Sequence, residues 1–108
     1  MLAWKIDPYE KSISVIEIDG SLQSYYKAMS TETIGVNMME LVKVDRENDI
    51  YVDEEGLFKP DQRFFTITGG VQPYAGIGIA VGSTPDGDNC GSKLSPLEIM
   101  ALVGFPNA

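Results

Sequence analysis

Apolar and polar positions alternate over residues 1–6, with Leu2, Trp4 and Ile6 on one face, and this period of two predicts a strand that breaks at Asp7-Pro8. Residues 12–18 are rich in β-branched side chains and stop at Asp19-Gly20, which predicts a second strand. Residues 8–11 between them carry turn-forming chemistry, so the pair reads as a hairpin. After Gly20 the period changes. Ser21 is an N-cap residue type, and Leu22, Tyr25, Tyr26 and Met29 follow at i, i+3, i+4 and i+7, the stripe of a short amphipathic helix. At that spacing the two tyrosines read as core packing rather than as a stacking platform for a base.

Residues 33–44 are apolar at Ile34, Val36, Met38, Met39, Leu41, Val42 and Val44, which predicts a long strand bent where the Met38-Met39 doublet shifts the alternation. Met29, Met38 and Met39 read as core fillers. A turn at 45–49 leads to a strand at 50–52 that stops at 53–56, a second hairpin. Leu57-Phe58 then leads through Pro60 to a β-rich run at 63–68, bounded by Gly69-Gly70. Residues 76–82 form a buried strand whose small residues admit the close approach of another backbone or of a ligand. Residues 83–93 read as a polar loop with little to anchor it. A terminal helix starts at Ser95, with Pro96 in the first helical position and Glu98 three residues after the cap, and Gly104 closes it. The order predicts an α+β fold, a mainly antiparallel sheet with a short helix after the second strand and a C-terminal helix, in a single domain spanning 1–108.

Charge narrows the choice of partner. Sixteen Asp and Glu stand against eight Lys and Arg, a net charge of −8, and there is no histidine to change that near neutral pH. Direct nucleic-acid binding depends chiefly on Lys and Arg, so it is disfavoured, and a partner protein with a basic surface fits better. The single cysteine, Cys90, makes no intrachain disulfide, which sets the cytoplasm as the expected compartment. Lys5 and Asp7 come too early for the apolar core of a secretory signal, and no apolar run approaches the ~20 residues of a membrane helix.

Catalytic candidates are sparse. The usual general base is missing, and Cys90 sits among Asp86, Asp88 and Asn89 rather than beside the positive groups that lower a thiol pKa. Residues 86–91 begin like a calcium loop, but Cys90 takes the fifth position and Leu97 the twelfth, where a bidentate glutamate belongs. Structural zinc does not fit one cysteine without histidine. No metal, no cofactor and no catalytic residue is therefore assigned, although the carboxylates at 53–55 leave acid chemistry open.

Two binding readings remain. The first rests on Asp45, Glu47, Asp49, Asp53, Glu54 and Glu55, six acids against Arg46 alone within eleven residues, with Asp61 as an extension. With turns at both ends of a short hairpin these acids would form an elongated edge facing Lys- and Arg-rich surfaces, or one that only prevents sheet-to-sheet pairing. The alternative is a small-ligand or nucleotide module using Tyr74, Gly76, Gly78 and Gly82, with 83–93 as a lid.

The order Ile18-Asp-Gly-Ser-Leu22, Ile50-Tyr-Val-Asp-Glu-Glu-Gly-Leu57, Gly76-Ile-Gly-Ile-Ala-Val-Gly82 and Leu94-Ser-Pro-Leu-Glu98 resembles small domains common in phage and mobile-element genomes, domain-of-unknown-function family 3846. The resemblance runs from about Val15 to Val103 and brings no catalytic residues with it. It implies a phage or mobile-element origin; taken with the acidic cluster on a small domain without catalytic machinery, the expectation is an accessory protein that binds a host protein, such as a nucleic-acid-binding or defence factor to be inhibited. A homo-oligomer is compatible with this reading.

Overall fold

The computed structural model describes residues 1–70 and 72–106. Its elements run β1 (Leu2–Asp7), β2 (Ser12–Glu17), α1 (Leu22–Met29), β3 (Met39–Lys43), β4 (Asn48–Asp53), a 3-10 turn (Gly56–Phe58), β5 (Phe64–Ile67), β6 (Tyr74–Ala75), β7 (Gly78–Ser83), β8 (Asn89–Cys90), α2 (Pro96–Leu102) and β9 (Val103–Gly104). The main sheet is antiparallel, in the order β2-β1-β7-β4-β3, and β8 pairs with the far end of β7. A smaller sheet has the order β6-β5-β9. The fold is α+β, as the order of periodicities predicts.

Both faces of the main sheet are covered. On one, Ala3, Ile79 and Val81 pack with Tyr25 and Met29 of α1 and with Val36. On the other, Ile6, Ile50, Val52 and Ala80 pack with Phe65 and Ile67 of β5, Ile99 of α2 and Val103. The middle strand β7 is buried at every residue, which is why Gly-Ile-Ala-Val-Gly-Ser shows no alternation. Small residues are required there. A Cβ on Gly78 would lie 2.6 Å from Cζ of the fully buried Phe65 ring.

Local chemistry fixes the ends of the elements. Asp7 Oδ1 accepts from the backbone N–H groups of Tyr9 and Glu10, tightening the turn between β1 and β2. Ser21 Oγ accepts from Ser24 N at the start of α1. A capping box opens α2: Ser95 Oγ accepts from Glu98 N at 3.2 Å, and Glu98 Oε1 accepts from Ser95 N at 2.9 Å.

Three local expectations are corrected. The predicted strand over 33–44 shrinks to β3, because hydroxyls take the backbone donors that a ladder needs. Thr31 Oγ1 accepts from Ile34 N at 2.9 Å and Ser30 Oγ from Val36 N at 2.9 Å. Residues 83–93 are not a poorly anchored loop. Thr84 N donates to Asp88 O, β8 folds back on β7, and Ser92 N donates to Leu2 O. Finally, Gly104 does not close α2 with a left-handed turn. The helix ends at Val103 in extended conformation and runs straight into β9, where a Cβ on Gly104 would come 2.8 Å from Thr66 Oγ1.

The packing at Gly78 gives a direct test. Gly78→Ala is expected to lower stability by about 1–3 kcal/mol in urea denaturation, because the Phe65 ring has nowhere to move. Gly35→Ala, where nothing lies within 4 Å, should change stability by less than about 0.5 kcal/mol.

Candidate functional site

The seven acids expected as one edge do not form one. β4 lies between β3 and β7, inside the sheet, so its acids fall at opposite poles of the molecule or against the core. Asp45 and Glu47 sit at the pole where β4 begins, and Asp53, Glu54 and Glu55 at the pole where it ends. Asp45 works inside its own turn: its carboxylate accepts from Glu47 N and from Asn48 Nδ2, and the Glu47 N–H bond first of all holds its pKa below the ordinary value. Glu47 is exposed, 3.8 Å from Lys93 Nζ.

Asp49 and Asp53 are buried and paired. Asp49 Oδ1 lies 2.8 Å from Lys43 Nζ, and Oδ2 accepts from Asn89 Nδ2. Asn89 Oδ1 in turn accepts from the Tyr51 hydroxyl at 2.6 Å. The Tyr51 ring packs 4.8 Å from that of Tyr25, whose buried hydroxyl has no hydrogen-bond partner among the described residues. Burial, reinforced by Tyr51 and Asp49, pushes the Tyr25 phenol up to about 12, so it is neutral throughout the physiological range. This network joins β4 to β8 and is internal architecture.

Asp53 anchors the opposite pole. Its Oδ2 lies 2.7 Å from Lys59 Nζ, which also donates to Gly35 O, and its Oδ1 accepts from Glu55 N. The segment between these two residues is pinned as a tight knuckle. Phe58 N donates to Glu55 O, and the Gln62 side-chain amide donates back to the carbonyls of Gly56 and Leu57. Gly56 allows the knuckle to sit against β6: a Cβ there would lie 2.6 Å from Ala75 O. Asp61 turns the chain with φ of +54°, a left-handed conformation that Asp tolerates better than most residues.

The knuckle presents apolar surface to water. Phe58 is 89% exposed and Leu57 63% exposed. They are flanked in the chain by exposed Glu54 and Asp61 and by half-buried Glu55. Beside the knuckle, a cleft of about 830 Å³ is bordered around Tyr9 by Asp7, Glu10, Glu32 and Asp61 and by Lys5 and Lys27. Burial first, then the negative fields of Asp53 and Asp7, hold the Tyr9 phenol above its ordinary value. The knuckle therefore has an apolar tip with Glu54, Glu55 and Asp61 beside it in the chain, next to a cleft of mixed charge in which acids outnumber lysines.

No family model matches the chain, and no curated protein or solved structure matches it either.

The glycine strand is closed by the chain's own atoms. Phe65 fills the space over Gly78, while Gly91 O and Cys90 Sγ lie 2.5 and 2.8 Å from where a Cβ of Gly82 would be. Gly76, with φ of +92°, makes the turn between β6 and β7. Tyr74 packs on Phe65 and borders a separate cavity of about 130 Å³. The structure does not bring the four residues together around one pocket. Among the described residues no three His, Cys, Asp or Glu side chains converge as a metal site, and no helix is long and apolar enough to cross a membrane.

In the sequence, the two-residue apolar step Leu57-Phe58 before Pro60 reads as an entry to the next strand, which hides the exposed turn at Leu57, Phe58 and Lys59. The available signal was the glycine at 56 and the proline at 60, which bracket those three residues as a turn. The paired and unpaired acids separate in a simple experiment. Asp53→Asn is expected to destabilise the protein by about 2–3 kcal/mol in urea denaturation, since it leaves the half-buried Lys59 ammonium with the Gly35 carbonyl but without its counter-charge. Glu54→Gln, one residue away and exposed, should stay within about 0.5 kcal/mol of the parent.

Proposed function

We propose that this chain is a protein-binding module that docks through the 54–62 knuckle, setting Phe58 and Leu57 into an apolar site on a partner and facing Lys and Arg around that site with Glu54, Glu55 and Asp61. The observation that carries the reading is the 89% exposure of Phe58 on a turn held by an ion pair and several hydrogen bonds. An aromatic side chain presented rigidly loses little conformational freedom on binding, and buried aromatic anchors within a polar rim dominate most protein interfaces.

The net charge of −8 supports a basic partner, because complementary charge speeds encounter and rejects acidic competitors. A phage or mobile-element origin, proposed from the order of the sequence motifs alone, would make that partner a host protein met in the host cytoplasm. A nucleic-acid-binding or defence factor has the required surface, since the Lys and Arg that read phosphate would meet these carboxylates instead.

The test is a set of pull-downs from host lysate at low salt with the parent and three variants. A partner retained by the parent should be lost with Phe58→Ser and with the triple change Glu54→Gln, Glu55→Gln, Asp61→Asn. It should be kept by Asp45→Asn with Glu47→Gln at the other pole, and released as salt screens the charges. Capture that is the same for every variant, or no capture at low salt, contradicts the reading.

A further inference from the structure

The main sheet ends on two outer strands that are not alike. β3 carries Glu40 and Lys43, charges of the kind that protect an edge from other strands. β2, Ser-Ile-Ser-Val-Ile-Glu, has no proline, no glycine and no charge before Glu17, and it pairs with β1 without a bulge. Its outward hydrogen-bonding groups can be identified. Met1 and Ile18 exchange both backbone bonds, at 2.6 and 3.0 Å. Antiparallel pairs alternate between bonded and non-bonded, so Ala3–Ile16, Lys5–Ser14 and Asp7–Ser12 are the other bonded pairs. The N–H and C=O groups of Ile13, Val15 and Glu17 therefore point away from β1, and no backbone partner meets them among the described residues.

We infer that this edge pairs with β2 of a second copy of the chain, antiparallel about a two-fold axis at Ser14, joining the two main sheets into one. The sequence is self-complementary in that register. Ile13 falls opposite Val15 of the second copy, both on the face that carries Trp4 and half-exposed Leu2, and their outward backbone groups meet as bonded pairs. The same register brings Glu17 of each copy, whose Oε1 lies 3.0 Å from the Met1 ammonium of its own chain, alongside Lys11 of the other. Shifting it by two residues would set Glu17 against Ile13 and lose that charge match. A second copy supplies both the apolar counterpart to Ile13 and Val15 and the opposite charge to Glu17 in one register, which is why a second copy is the occupant. The contact is one short strand wide, so the dimer is a weak one, of micromolar rather than nanomolar strength.

Sedimentation equilibrium over about 10 µM to about 1 mM protein reads this directly, since the range brackets a weak dissociation constant. The mass should climb from 11.8 kDa toward twice that value in the parent. Val15→Pro removes an outward N–H and no β1–β2 bond, so the variant should remain folded by circular dichroism and shift the dimerisation midpoint at least tenfold upward. Val15→Lys, which charges the edge and leaves the backbone intact, should do the same if proline strains the strand. Glu17→Lys, which also removes the Met1 ion pair, should weaken the dimer, and Lys11→Glu added to it should restore the dimer although it does not restore that pair. A monomer throughout the range overturns the inference, and so does a dimer that both Val15 variants leave unchanged. Neither result bears on the knuckle, whose variants are read by partner capture.

Discussion

The fold depends on a strand that must be buried on both sides. β7 lies between β1 and β4, and its Ile79, Ala80 and Val81 side chains alternate between two cores. The glycines at its ends are what make this work. Gly78 leaves room for the Phe65 ring of the smaller sheet, and Gly82 leaves room for β8 to fold back. Given β7 in that position, α1 has one face of the sheet to cover, and α2 with β5 and β9 has the other. The poles of the sheet are then set, and with them the 54–62 knuckle beyond the end of β4.

Charge in this chain divides by what each carboxylate touches. Asp49 and Asp53 are spent inside, against Lys43 and Lys59, where they link β4 to β8 and the knuckle to the sheet. Glu54, Asp61 and the acids around Tyr9 remain on the surface. The ion pair at Asp53 thus serves the exposed pole without being part of its surface: it holds in place the turn that carries Phe58. Stability and presentation share one residue, so a change there should disturb both.

Much of this fold was legible in the sequence because local chemistry and tertiary packing agree. Ser21 and Ser95 cap the helices they were expected to cap, and the alternation in β1 and the glycine-rich run at β7 mark their strands. Disagreement arose where side chains compete with the ladder or where a contact is distant in sequence. The hydroxyls of Ser30 and Thr31 dissolve the first part of the expected strand before β3, and β8 is recruited by Asp49 and Tyr51 some forty residues away, which no local pattern announces. The acidic run was visible, but its division into buried and exposed members was not, because residue type does not tell which carboxylate has a lysine beside it. Phe58 was hidden for the converse reason: an apolar residue is expected to find a core, and here it does not.

Amide hydrogen exchange tests the placement of β7 most directly. If the strand is the shared centre of both cores, the amides of Ile79, Ala80 and Val81 exchange only on global unfolding, with a free energy equal to that from denaturant titration, while the outward amides of Ile13 and Val15 in dilute, monomeric protein exchange orders of magnitude faster. Exchange at Ile79 to Val81 that proceeds through local opening, at rates like those of the outer strands, would contradict the account.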